Sequence, residues 1–177
     1  MKQNDVPSFD ELLATARHSA VHLEMRDAYG VGGESSGFAR WQRTGQRDSD
    51  PTSDYWRPWV EQIAASVARG VVIRRARIVS EPVSTYTRYL HEGTVVNLAA
   101  GEEIRWLSRR LASDIALPGN DFWVFDGTTV VFNYFTGDGD WADPGKELRT
   151  EPAVAQLCTS AFEAVWKRAV PHEKFTV

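Results

Sequence analysis

The feature that most constrains the fold is a hairpin written into the second half of the chain. Asp121-Phe122-Trp123-Val124-Phe125 and Thr128-Thr129-Val130-Val131-Phe132-Asn133-Tyr134 flank Asp126-Gly127. Aromatic and β-branched residues suit a pleated, packed surface, and Asp-Gly between two such runs is a strong hairpin signal. In the first run Phe122 and Val124 alternate with Trp123 and Phe125, so both faces are apolar and both must be covered. A sheet with layers on both sides is the simplest solution.

Two further runs join that sheet. Val71-Val72-Ile73-Arg74-Arg75-Ala76-Arg77-Ile78-Val79 is dominated by β-branched residues and reads as a central strand. Ala20 to Arg26 alternates, with Val21, Leu23 and Met25 on one face and His22, Glu24 and Arg26 on the other, the pattern of a half-buried strand. Another strand is expected around Glu103-Ile104-Arg105-Trp106-Leu107.

Helices fall between them. Ser8-Phe9-Asp10-Glu11 has the form of a capping box and opens a helix through about Arg17. Trp56, Val60, Ile63, Ala64 and Val67 keep a helical period after Asp54, and Gly70 fits the end. Ser80-Glu81-Pro82 opens a helix in which Val83, Tyr86, Tyr89 and Leu90 share a face. The last helix begins near Thr150 and buries Val154, Leu157, Cys158, Ala161, Val165 and Ala169 before Pro171 stops it. Segments near 30–37, 42–53 and 137–146 are rich in glycine, serine or aspartate and read as flexible loops. The expected fold is one α/β domain over 1–177, a mixed sheet of about five strands flanked by helices.

Composition narrows the function classes. A chain of 177 residues with a formal net charge of −4 argues against direct nucleic-acid binding. Its single cysteine, Cys158, permits no internal disulfide and suits a reducing, cytoplasmic compartment. No apolar run approaches the ~20 residues of a membrane span, and Met1 to Asp5 leads into no signal-peptide core. Phosphate-cradling glycine motifs and the nucleophile elbow are missing; Gly30-Val31-Gly32-Gly33 is followed by Ser35-Ser36-Gly37 rather than the start of a helix. Four scattered histidines lack ligand spacing, so neither metal nor cofactor is expected.

The sharpest chemical cluster is Arg74-Arg75-Ala76-Arg77, with Glu81 beyond. Alternation sends Arg75 and Arg77 to one face and Arg74 to the other. Two arginines on an apolar strand are costly to bury unless carboxylates pair with them or a polar cleft receives them. Glu24, Glu81 and Asp121 are the candidate carboxylate partners for a structural network. The functional reading is an anion or small-molecule cleft using Arg75, Arg77 and Arg105, and Glu81, Tyr86 and Asp121 are further candidates for binding a ligand or partner. Glu24, Asp27 and Asp121 are the acids an unrecognised enzyme would use. Trp41, Trp59 and Trp141, near loops or helix starts, are candidates for an exposed patch that meets a partner.

Several segments are familiar together: Leu23 to Tyr29, Arg75 to Tyr86, Ala99 to Arg105 and Asp121 to Asp126. They resemble an actinobacterial family of uncharacterised domains encoded beside Xre-type helix-turn-helix regulators. The resemblance implies a non-enzymatic regulatory domain that works with such a regulator as protein partner. More distantly, the order of elements is similar to half of a phospholipase-D-like domain. Catalysis there needs His-x-Lys with an Asp downstream. This chain offers only His172-Glu173-Lys174, with no Asp after it, which implies an inactive scaffold.

Overall fold

The computed structural model describes residues 6–30 and 32–177; Met1 to Asp5 and Val31, named in the signal-peptide and glycine-cluster readings, lie outside them. Seven strands form one sheet: β1 Ser19–Glu24, β2 Val72–Val79, β3 Glu103–Ser108, β4 Phe122–Phe125, β5 Thr129–Phe135, β6 Trp141–Arg149 and β7 Val170–Pro171. Their spatial order is β6-β5-β4-β1-β2-β3-β7. The β1-β2-β3 block is parallel and every other pairing is antiparallel. Among the described residues five α-helices accompany the sheet: α1 Phe9–Thr15, α2 Gly32–Thr44, α3 Arg57–Ala68, α4 Thr85–Ala99 and α5 Pro152–Arg168.

The hairpin forms as expected. Asp126 and Gly127 both adopt positive φ, 50° and 69°, and the Asp126 carboxylate accepts the backbone N–H groups of Arg17, His18 and Ser19. One turn residue thus closes β4 onto β5 and ties the start of β1 to the turn. The capping box is also present, Ser8 Oγ accepting from the Glu11 N–H while Glu11 accepts from the Ser8 N–H.

The sheet separates two chemically different layers. On one face Val21, Leu23, Ala76, Ile78, Phe122 and Val124 pack against Cys158, Phe162, Val165 and Trp166 of α5. Most of the expected α5 face is buried, but Leu157 is 46% exposed, and Phe162 and Trp166 take the contact. Val165 is fully buried, so Val165→Ala should cost roughly 2 kcal/mol through lost burial and a residual cavity. An unchanged midpoint in urea denaturation would show α5 to be peripheral.

Three expectations are corrected. Gly32 to Gly37, expected as loop, opens α2, and the helix continues to Thr44 into the second expected loop. The reason is tertiary. A Cβ on Gly37 would come within 2.6 Å of the Tyr89 hydroxyl, so glycine lets α2 lie close against α4, where Phe38 packs on Tyr86 and Tyr89. The expected loop at 137–146 gives way at Trp141 to β6, which pairs along β5. As an edge strand with a register shift opposite Asn133 to Phe135, it accommodates Pro144 and Gly145 where a central strand would not. With β7 this makes seven strands rather than about five. The helix expected from Ser80 instead starts at Thr85 with Ser84 as N-cap, because the Ser80 N–H and hydroxyl are donated to Asp27. None of the described helices is long and apolar enough to cross a membrane.

Candidate functional site

The face opposite α5 carries a cavity of about 400 Å³. Strand register builds its floor in two rows. His22 lies between Trp123 and Arg75, with Val131 beyond Trp123; Glu24 lies beside Arg77. Asp121 and Asn133 extend the second row, linked by the Asn133 N–H to the Asp121 carbonyl at 2.8 Å. Helices supply the walls: Phe9 and Leu12 from α1, Trp59 from α3, Tyr86 and Leu90 from α4. Phe135, Trp141 and Lys146 of β5 and β6 join the lining, as do Asp10 of α1 and Glu34 of α2.

Arg75 and Arg77 are both paired and exposed to this cavity, so the two readings of the cluster merge. Glu24 accepts from Nη1 of Arg75 and from Nε of Arg77, the latter at 2.5 Å. Glu102 accepts from Arg75 Nε at 2.6 Å and from Asn97 at 2.9 Å, while Arg77 Nη1 donates to Thr94 Oγ1 at 2.8 Å. Burial alone would raise the Glu24 pKa, but Arg77 and Arg75 overcome it and hold the carboxyl far below its ordinary range. Burial opposes the Arg75 charge, and Glu102 and Glu24 more than restore it.

Of the expected partners, Glu24 takes part and the other two do not. Glu81 lies beyond the end of β2, bonded to the Ser108 hydroxyl and near Arg110. Asp121 lines the cavity but accepts from the Tyr29 hydroxyl and the Met25 N–H. Its pKa is pushed up to about 6, first by burial and further by the Glu24 charge. Arg105 is not in the cleft. It pairs in register with Ala76, on the α5 face, donates to the Trp166 carbonyl and sits 4.4 Å over the Trp166 ring. Trp41 is half-buried, packed against Phe38 and Tyr89 with its N–H on Glu92. Trp59 and Trp141 line the cavity, Trp141 being 45% exposed as well, and Tyr86 lies in the cavity wall.

The residue that sequence reasoning missed is His22. It is 7% exposed, stacks on Trp123 at 4.2 Å, and neither ring nitrogen has a hydrogen-bond partner. Its Nδ1 lies 3.4 Å from a Glu24 oxygen, outside hydrogen-bond geometry. Burial drives its pKa down to about 3, Arg75 and Arg77 lowering it further against the pull of Glu24, so the ring is neutral. The Trp59 N–H is likewise buried without a partner. Strand alternation placed His22 beside Glu24, but only the parallel register of β1 and β2 shows that it faces the arginines. Glu102 was missed because it precedes β3 and reaches Arg75 across the sheet.

The family model described as a domain of unknown function, DUF6879, matches residues 7–177. The chain belongs to that family. A search of the curated proteins returns no match. Among solved structures, Nuc, a phospholipase D family member from Salmonella typhimurium, is similar in fold. Its TM-score is 0.50 at 12% identity, over 92% of this chain and 86% of that one. The archaeal chromatin protein TrmBL2, whose structure shows a novel mode of DNA binding, gives a TM-score of 0.48 at 14% identity over 90% of this chain. The chain spans about half the length of TrmBL2, 47%. The expected phospholipase-D-like α/β architecture therefore describes this DUF6879 chain. Its His172-Glu173-Lys174 lies at the far sheet edge, where His172 Nδ1 accepts from Trp106 Nε1 at 3.3 Å and the ring stacks on His91. Burial lowers the His172 pKa to about 4, and the residue does not line the cavity.

Proposed function

We propose that the domain is a small-molecule receptor that binds its ligand in the aromatic-walled cavity over β1, β2, β4 and β5. The observation that carries this reading is His22, a buried imidazole with two unpartnered nitrogens facing a space of about 400 Å³. Buried polar groups in native proteins are nearly always hydrogen-bonded, and an unpaired one costs ~1–3 kcal/mol. A largely apolar cavity of that size with a few convergent polar groups is the usual form of a ligand site. The regulatory partnership implied by the family resemblance would then have a physical input, the occupancy of the cavity.

Indole, an aromatic probe of suitable size, tests this reading. At tenfold excess over Kd it should raise the thermal midpoint of the domain by about 3–5 °C. Val131→Phe and Leu12→Phe, which fill the cavity from its floor and from its α1 wall, should melt cooperatively and lose that response. Equal responses in wild type and both filled variants would overturn the proposal.

A further inference from the structure

Resting on the receptor reading, we infer that the ligand is an uncharged heteroaromatic ring carrying both a hydrogen-bond donor and an acceptor on its edge. Charge bookkeeping on the floor comes first. Arg75 and Arg77 are matched by Glu24 and Glu102, two against two, and each of these carboxylates already accepts from a guanidinium. Of the other acids in the lining, Asp121 accepts from Tyr29 and Met25 and Asp10 from Gln62, while burial pushes the Glu34 carboxyl up from its ordinary value, toward its neutral form. An anionic ligand would find the charge of both floor guanidiniums already matched, and the only lysine among the described lining residues, Lys146, is exposed and sits 5.4 Å over Trp141. A cationic ligand would compete with the arginines for Glu24 and Glu102 and would otherwise meet Glu34, whose charged form burial disfavours. Either charge would lose its hydration with little to replace it.

The unpartnered groups ask for something else. A neutral imidazole offers one donor and one acceptor, and the Trp59 indole offers a donor. A ligand that satisfies His22 and Trp59 therefore carries at least one acceptor and one donor. The walls favour a flat molecule. Trp59 is stacked with Phe9 at 5.3 Å and 17°, and Trp123 with His22 at 19°, so aromatic rings make up much of the lining beside Leu12, Leu90 and Val131.

Matched bicyclic probes separate the alternatives by titration calorimetry at pH 7.5. Benzimidazole has one N–H and one ring acceptor and is uncharged. It should bind about three- to tenfold more tightly than indole, which lacks the acceptor, and than 1-methylbenzimidazole, which lacks the donor. It should bind at least tenfold more tightly than indole-3-carboxylate or tryptamine. Trp59→Phe, which keeps a ring and removes the N–H, should cut benzimidazole affinity three- to tenfold. The probe comparison stands on the wild-type protein alone if that variant fails to fold. Tighter binding of the carboxylate or the amine would overturn the assignment of ligand class while leaving the receptor reading intact. Affinities that do not differ among the uncharged probes would also overturn it. If indole and every other probe leave wild type and cavity-filled variants indistinguishable, both proposals fall together.

Discussion

Glu24→Gln should destabilise the domain by ~3–5 kcal/mol, a large part of the 5–15 kcal/mol that typically holds a domain together. Glu24 is 7% exposed and accepts from both Arg75 and Arg77, so removing its charge strands two guanidiniums that are themselves 9% and 7% exposed. Glu102 still balances one of them and Thr94 offers Arg77 only a neutral acceptor. The contrast lies on the opposite face of the same strand. Arg74 pairs with Glu163 at 2.6 Å, but the side chains are 21% and 50% exposed, so Glu163→Gln should cost ~1 kcal/mol or less. Urea denaturation of the two variants checks both numbers. Equal, small losses would mean that water or relaxation at the cavity screens the floor network.

Acidification should act on the floor through two opposed titrations. The His22 pKa is lowered from 6.5 to about 3, so the unfolded chain takes up this proton first. The stability it contributes is fully present above pH 6.5 and is lost as pH falls through the window toward 3. Asp121 is raised from 3.8 to about 6, so its contribution is fully present below 3.8 and is lost as pH rises through 6. At ~1.4 kcal/mol per unit, moving from pH 7 to pH 4 removes ~3 kcal/mol through His22 and returns nearly as much through Asp121. The two floor contributions therefore nearly cancel, and His172, lowered from 6.5 to about 4 at the far sheet edge, adds a loss over the same range that is common to every variant. Relative to wild type, Asp121→Asn should fall by ~2 kcal/mol more between pH 7 and pH 4, whereas His22→Gln should fall by ~3 kcal/mol less. Chemical denaturation at both pH values measures each difference within one variant, which cancels the pH-independent cost of the substitution. Parallel pH dependence in all three proteins would show that these two groups do not face a shared, poorly solvated floor.

The exposed and half-exposed ion pairs do not belong in the same account. Arg168 meets Asp114 and Arg149 meets Glu151 at the surface, where solvent screens them and the side chains lose rotamer freedom on pairing. The weight of the electrostatics lies on the cavity floor, because there the low local dielectric strengthens each pair and makes each missing partner expensive.

What the sequence determined by itself was the sheet and its two faces. Period-two alternation in β1, β2 and β4 assigned Arg75 and Arg77 to one side and Arg74 to the other, and the Asp126-Gly127 turn fixed the pairing of β4 with β5. These are local properties, set by neighbouring residues and by the stereochemistry of one turn. Tertiary structure decided what local pattern does not encode. The glycines of α2 read as loop, since their helical use depends on a close approach to Tyr89 that lies more than fifty residues away in sequence. Trp141 to Lys146 read as loop because proline and glycine weaken a strand, yet an edge position tolerates them. Arg105 belonged with the other arginines by composition, and strand register sent it to the opposite face. The cavity was the least legible feature. It exists because α1, α3 and α4 stand over a charged stretch of sheet that cannot be packed shut by apolar side chains. Whether His22 finds a partner there depends on the register of three strands and the placement of Glu24 between two arginines, not on any residue adjacent to it in the chain.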